Sequence, residues 1–335
     1  MSDPSPLVRP AIASRATLLA SLHQQQTDCY RLLHGTVEGA PGLAIDRYGP
    51  LLLVQTWRDP LPDDTAARLL EQVQSALSEL GASAPERVVC NHRPRDAPTT
   101  WPPDPEPVWG MEQGLRFDVR PRHRGRDPLL FLDLRAGRRW VRAASKDRSV
   151  LNLFAYSCGV GIAAAAGGAT EVWNVDFAAS ALDVGRANAA ANDLPGMQFI
   201  EEDVFPVVRQ LAGLPMNDRR GGQKRRHTRF SARRFDLVVV DPPRWATSAF
   251  GTVDLVRDYP SLLKPALLAT ADGGSLLLTN NVASVDRGAW QDICLRASRK
   301  AGRPIKTWDW LDPDADFPSP DDRPPLKMAV ATVAR

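Results

Sequence analysis

Phe235-Asp-Leu-Val-Val-Val-Asp241-Pro-Pro-Arg-Trp245 is the stretch on which the fold turns. A short β-prone apolar run, ended by an aspartate and two prolines, predicts a strand followed by a rigid corner. A run that is apolar at nearly every position is buried on both faces, as strands are in parallel sheets covered by helices. In open α/β sheets ligands bind outside the carboxyl ends of the strands. Asp241, Pro242, Pro243 and Trp245 therefore stand where chemistry is expected. A carboxylate, the carbonyls held by two prolines and an indole face together suit a flat, nitrogen-bearing group held edge-on.

The pattern around this corner repeats the same rhythm. Strand-like segments at Ser149–Phe154, Glu171–Val175 and Met197–Ile200 alternate with helical ones from Gly161, over Ala178–Asn192 and over Val204–Leu211. Beyond the corner come a helix at Tyr259–Thr270, a strand at Ser275–Thr279 and a helix at Arg287–Lys300. Ile305–Trp310 and Leu326–Val333 are strand-like with no helix between them, which predicts a closing antiparallel hairpin. The expected fold is α/β, a Rossmann-like doubly wound sheet. Its first strand is preceded by the apolar run Leu129–Leu134 and a basic helix over Arg135–Lys146.

The N-terminal part reads differently. A helix over Ala11–Gln26 is followed by short runs at Tyr30–His34, Leu43–Tyr48 and Leu51–Trp57, punctuated by Gly and Pro. A periodic helix at Ala66–Leu80 and a strand at Arg87–Cys90 complete a small α+β domain. The expected boundaries are 1–105 for this domain and 106–335 for the α/β domain, with a proline-rich linker at Pro94–Pro107. A basic insert occupies 216–234.

Composition narrows the class. A chain of 335 residues, 43% of them apolar, has room for two domains with a sizeable core. The start, Met1-Ser-Asp-Pro-Ser-Pro, carries no apolar signal region, and no uncharged apolar run is long enough for a bilayer. A cytoplasmic protein with no membrane association is expected. Cys29, Cys90, Cys158 and Cys294 are scattered, without a paired-cysteine or His spacing, so neither a metal site nor a disulfide framework is expected.

The turns after the first three strands suggest a nucleoside site. Asn152-Leu-Phe154-Ala-Tyr156-Ser-Cys-Gly159-Val-Gly161 follows the first, where glycines allow a ligand near the backbone and open a helix N-terminus. Asp176, next to Phe177, ends the second and can accept both hydroxyls of a ribose. Asp203 and Val204 follow the third, where an adenine amino group would sit, and Asp241 follows the fourth. Taken singly, an Asp before a helix is an ordinary N-cap. Gly159-x-Gly161-x-x-Ala164 with Asp176 also satisfies the dinucleotide fingerprint of an NAD-dependent oxidoreductase. The Asp-Pro-Pro corner and the closing hairpin favour S-adenosylmethionine.

At these positions the chain resembles a bacterial 23S rRNA methyltransferase family with cytosine-C5 and guanine-N7 branches. The resemblance spans about Tyr30 to Arg335. It rests on Arg31-Leu-Leu-His-Gly35, Pro41-Gly-Leu-Ala-Ile-Asp-Arg-Tyr48, Phe131-Leu-Asp-Leu-Arg135, Leu151-Asn-Leu-Phe-Ala-Tyr156, Gly167-Gly-Ala169 with Val175-Asp176, Asp241-Pro-Pro243 and Pro325-Leu-Lys327. It implies a class I methyltransferase sheet, S-adenosylmethionine as cofactor and RNA as partner. It also implies that Phe131, Asp133 and Arg135 lie near the cofactor's methionine end. Two features depart from the family: there is no room for an N-terminal PUA-type module before Tyr30, and Asn280-Asn281 replaces the cysteine that cytosine-C5 members carry after the fifth strand.

Without that thiolate, cytosine C5 cannot be activated through a covalent adduct. A purine nitrogen needs no such help, so guanine is the preferred base. Asn280 and Asn281 can read a base edge by paired hydrogen bonds, and Trp245 can stack on an extruded base. Arginines crowd two segments, Arg116–Arg126 with the helix bearing Arg138, Arg139 and Arg142, and the insert Arg219–Arg229 ending at Arg233-Arg234. Such segments grip phosphates through charge and counterion release. A methyltransferase of small molecules or proteins, an oxidoreductase and a non-catalytic RNA binder are the competing readings.

Overall fold

The computed structural model describes residues 3–62, 64–94, 101–123, 125, 127–215, 219–220, 223–224, 228–243, 245–248, 251–254, 259–319, 321 and 323–335. The chain forms two compact units, one of residues 1–133 with 314–322, the other of 134–313 with 323–335.

The first unit is built on a four-stranded sheet. Its strands are β1 (Cys29–Leu33), β2 (Leu43–Tyr48), β3 (Leu51–Thr56) and β4 (Arg87–His92), side by side in that order. The first three are antiparallel; β4 runs parallel to β3, with α3 (Thr65–Glu79) between them in sequence. The apolar stripe Leu69, Val73 and Leu77 of α3 is fully buried with Leu32, Ile45, Leu52 and Val54 of the sheet. The single N-terminal helix read from the sequence is two, α1 (Ser5–Ser14) and α2 (Ala16–Gln24), separated at Arg15. Arg15 is buried and its guanidinium donates to Ala11 O (2.9 Å) and to Glu38 (2.6 Å). The hairpin β5 (Trp109–Glu112) and β6 (Leu115–Asp118) also belongs to this unit. Met111 N donates to the Asp28 carboxylate (2.7 Å), and a side chain at Gly110 would overlap Cys29 Sγ. The boundary expected near 105 therefore falls inside the unit, ahead of a hairpin packed against β1.

The second unit holds a seven-stranded sheet. Its chain order is α4 (Arg135–Ala144), β7 (Ser149–Leu153), α5 (Gly159–Ala166), β8 (Glu171–Asp176), α6 (Ala179–Ala191), β9 (Gln198–Glu201) and α7 (Val204–Leu211). Next come a small pair β10 (Arg219–Arg220) and β11 (Gln223–Lys224), then β12 (Phe235–Val240) and a hairpin β13 (Trp245–Ser248) and β14 (Gly251–Asp254). The chain closes with α8 (Tyr259–Leu268), β15 (Thr270–Asn280), α9 (Arg287–Lys300), β16 (Ile305–Leu311) and β17 (Lys327–Val333). Strand order across the sheet is β16-β17-β15-β12-β7-β8-β9. Five neighbours, β15 to β9, are parallel, and β17 is antiparallel to both of its partners. The expected closing hairpin is present, but its second strand inserts between the first and β15. Val238, Val239 and Val240 are fully buried, as their unbroken apolar run demanded. One face of the sheet packs on α7, α8 and α9 through Val207, Leu211, Leu262, Ala266 and Trp290.

Candidate functional site

Strand order reverses between β7 and β12, so the crevice at their carboxyl ends is the topological switch point of the sheet. Pairing keeps the ends level. Leu153 faces Val240, Val240 faces Leu278, and Asp176 faces Glu201. Asp241, Phe154 and Phe177 are thus the first residues past three adjacent strand ends, with Thr279 of β15 level with Asp241.

The loop after β7 carries a feature that no residue type announces. Phe154 (φ 58°), Tyr156 (φ 49°) and Cys158 (φ 62°) alternate in the left-handed region within five residues. Each costs about 1–3 kcal/mol for a non-glycine residue, and such strain gathers at ligand sites. Neighbours hold it in place. Ala155 N donates to Val175 O (3.0 Å), Tyr156 N to Asp176 Oδ2 (2.8 Å), and Asn188 Nδ2 to Ser157 O (3.2 Å). The Cys158 thiol lies where a side chain on Gly185 of α6 would be, and burial pushes it far above the usual thiol range. Such a thiol stays protonated and is no nucleophile.

Asp176 is 6% exposed, with one oxygen on Tyr156 N and the other on Ala178 N (2.9 Å). Burial raises its pKa, and the backbone amides oppose the rise. Beside it Phe177 is 65% exposed, the most open large apolar side chain among the described residues. Asp203 caps α7, its Oδ1 accepting from Phe205 N (2.9 Å), and Val204 behind it is buried. Glu202 accepts from the backbone and hydroxyl of Thr228 at the end of the basic insert.

Gly159 opens α5, but the space at Gly161 serves a different purpose from the one expected. A Cβ there would overlap Asn174 Oδ1 and lie 2.8 Å from its Cγ. That oxygen accepts from Asn152 Nδ2 (2.9 Å), and both asparagines are buried, 2% and 0% exposed. The structure therefore places Asn152 and Gly161 in the packing of α5 on the sheet rather than at an open edge.

On the other side of the crevice Asp241 Oδ1 accepts from the Thr279 hydroxyl. Pro242 is buried and Pro243 exposed; the strand β13 begins at Trp245, whose side chain lies outside the described residues. Asn280 is 4% exposed and its Oδ1 accepts from Val282 N (3.0 Å), so one of the two lone pairs of its carbonyl is taken within the chain. Asn281 is exposed. Lys327, opposite Asn280 in the register, is 2% exposed and donates to Val282 O (2.9 Å) and Pro325 O (3.1 Å).

The residues implied at the methionine end fall in different surroundings. Phe131 (39% exposed) and Asp133 close the first unit, Asp133 in the 3-10 turn Leu132–Leu134. Arg135 is fully buried at the start of α4 in the second. The basic clusters are also less free than their sequence suggested. Arg138 is buried, Arg120 is paired with Asp118 (2.5 Å), and Arg122 lies along β4 with Nε on Asn91 (3.2 Å). Arg233 is paired with Glu171 (2.6 Å) over the rings of Trp173 and Phe235. Arg124, Arg126 and eight of the nineteen residues of the insert lie outside the described residues. His34 sits 3.2 Å from Arg31 and edge-on to Phe317, a satisfied histidine of the first unit. No group of three or more His, Cys, Asp or Glu side chains able to hold a metal gathers among the described residues, and no helix among them is long and apolar enough to cross a membrane.

A five-stranded parallel core, an antiparallel strand inserted at its edge and a site at the switch point define a class I methyltransferase. The profile of the S-adenosylmethionine-dependent methyltransferase family matches residues 30–330, and the chain belongs to that family. It is 30% identical over 307 residues to a ribosomal RNA large subunit methyltransferase of Deinococcus radiodurans, covering 88% of this chain and 69% of that protein. Ribosomal RNA large subunit methyltransferase I of Aeromonas salmonicida is 31% identical over 313 residues, with 86% and 70% covered. The crystal structure of SMU.776 complexed with SAH superposes with a TM-score of 0.74 at 21% identity, over 98% of this chain and 80% of that one. The S-adenosylmethionine-dependent methyltransferase of Agrobacterium tumefaciens gives 0.63 at 18% identity, over 92% and 90%. The oxidoreductase reading of the glycine loop is thereby excluded.

Proposed function

We propose that this protein is a cytoplasmic RNA methyltransferase that modifies a base of 23S ribosomal RNA, with guanine preferred over cytosine. The observation that carries the reading is the likeness to large-subunit rRNA methyltransferases over nearly nine-tenths of the chain. S-adenosylmethionine supplies a methyl carbon already activated by a sulfonium, so the protein's part is positioning and exclusion of water. The fit is supported by a buried carboxylate, Asp176, beside an exposed ring, Phe177, at the switch point. In this reading Asp176 accepts ribose hydroxyls, Phe177 offers a face to the adenine, Asp203 and Val204 border its edge, and the strained Phe154–Gly159 loop turns around the cofactor.

The acceptor base enters beside Asp241, Pro242 and Pro243, with Trp245 to stack on it and Asn280 and Asn281 at its edge. Asp241, held by Thr279, faces the entering group as a fixed acceptor. Guanine is favoured on chemical grounds. Cys158 and Cys294 are buried, with thiols pushed far up, and Asn280-Asn281 rather than a cysteine stand at the end of β15. Nothing in the set can form the covalent adduct that cytosine C5 requires.

The test is incubation of unmodified ribosomal RNA with methyl-labelled cofactor, digestion and identification of the labelled nucleoside. Label in a guanosine is expected; label in 5-methylcytidine, or in no RNA at all, would reject the assignment. Asp241→Ala should lose transfer and keep its fold. Wild-type turnover by that variant would remove Asp241 from the site.

A further inference from the structure

Lysine is almost never fully buried without a partner, yet Lys327 is 2% exposed with only neutral backbone carbonyls as its hydrogen-bond acceptors. Its first carbonyl belongs to Val282, whose own N–H is bound by Asn280 Oδ1. Val282 is thus gripped at both ends, by Lys327 through its oxygen and by Asn280 through its nitrogen. Asn280 and Lys327 are also direct partners across β15 and β17, one residue past the Thr279 that holds Asp241.

This arrangement fixes the polarity of Asn280. Because Val282 N is a donor, the atom facing it must be the amide oxygen, and the side chain cannot flip without breaking that bond. Its remaining group, the NH2, has no hydrogen-bond partner among the described residues. Asn280 therefore keeps both N–H groups of its amide for a ligand, while its oxygen is already committed to Val282. A base edge with two adjacent acceptors, such as the N7 and O6 edge of guanine, fits that polarity. An edge that carries an exocyclic amine at the same place does not.

We propose that Lys327 is a positioning residue which, by clamping Val282, fixes the amide of Asn280 so that its NH2 reads the acceptor base as a donor. This inference rests on the assignment of the Asp241 crevice to an RNA base. Asn280 determines specificity; Lys327 acts through it and touches no substrate.

The experiment compares Asn280→Asp, Lys327→Met and their combination. Each is assayed for melting temperature, calorimetric affinity for S-adenosylhomocysteine, and kcat and KM on ribosomal RNA. Asn280→Asp retains the oxygen that accepts from Val282 N and loses the amide donor. It should melt and bind S-adenosylhomocysteine like the unaltered protein while kcat/KM for RNA falls by roughly 10- to 100-fold. Lys327→Met should lower kcat/KM by a smaller factor, and in the double variant it should add nothing further, as expected for residues acting in series. Wild-type kcat/KM in Asn280→Asp would overturn the role of Asn280 as a donor even if Lys327→Met fails to fold. Multiplicative losses in the double variant would overturn the coupling. Absence of any RNA methylation by the unaltered protein would overturn the RNA assignment and this inference together, an outcome distinct from the other two.

Discussion

Replacing Gly161 by alanine tests whether the glycine loop serves the ligand or the core. In a helix the change should by itself stabilise by about 1 kcal/mol. Here the new Cβ would overlap Asn174 Oδ1 and force that side chain away. Two hydrogen bonds go with it, Asn152 Nδ2 to Asn174 Oδ1 (2.9 Å) and Asn174 Nδ2 to Gln198 O (3.3 Å). Leaving the two buried amides unsatisfied costs roughly 1–3 kcal/mol each, so after the helix gain the net loss is about 1–5 kcal/mol. At about 2–4 °C per kcal/mol for a chain of this order of size, the melting temperature should drop by roughly 2–20 °C. Denaturant and thermal unfolding measure this, with calorimetry for S-adenosylhomocysteine below the transition. Affinity should change by no more than a few-fold. Combining Gly161→Ala with Asn174→Ala should cost less than the sum of the two, since both disturb one contact. Unchanged stability with affinity reduced tenfold or more would refute the packing argument and restore the glycine to the ligand.

Burial raises the Asp176 pKa, so folding favours its protonated form; its contribution to stability is full at acid pH and declines as pH rises through the folded value. Hydroxyls that donate to the ionised carboxylate reverse that preference, so S-adenosylhomocysteine affinity should weaken on acidification and lose this pH dependence in Asp176→Asn; a matching pH profile in the variant would exclude the contact. Native thiol titration should count no more than one reactive cysteine, the half-buried Cys90, because Cys29, Cys158 and Cys294 are buried; rapid reaction of three thiols would contradict the packing around Cys158. Trp290, 1% exposed and in edge contact with Tyr259 and Trp308, should lose about 3–5 kcal/mol on replacement by alanine, read from denaturant midpoints. Neutralising the basic residues between 219 and 229 should weaken RNA binding and flatten its salt dependence by about 0.7–0.9 in log–log slope per lost phosphate contact; an unchanged slope would make the insert passive.

The parallel sheet was legible because burial on both faces imposes an unbroken apolar run, and Val238 to Val240 could read no other way. The position of Asp241 and Asp176 was legible for a related reason, since a residue that closes such a run stands at the carboxyl end of its strand. What the residue order concealed was directional. A glycine that admits a ligand and one that admits a neighbouring asparagine look alike, and only the Asn174 side chain against Gly161 points to the second kind. Asn280 promised both a donor and an acceptor until Val282 was seen to occupy the acceptor. The left-handed turns at Phe154, Tyr156 and Cys158 had no compositional sign, because they are imposed by bonds to Val175, Asp176 and Asn188 from distant parts of the chain. Arginine counting overstated the phosphate surface, since Arg138 is buried and Arg120 and Arg233 are bound to carboxylates of their own unit.

Asp316 is fully buried in the first unit, where its carboxylate accepts from the amide of Arg31 and the adjoining Phe317 ring lies 4.5 Å from the Arg31 guanidinium. These residues are translated after the whole central part of the second unit. At about 5–20 residues per second, a nascent chain that has just emitted residue 133 waits on the order of ten to forty seconds before residues 314–322 exist. The N-terminal unit is thus begun first but completed only as the chain nears its end, and a ribosome stalled before codon 314 would hold it with its β1 edge short of a buried acceptor.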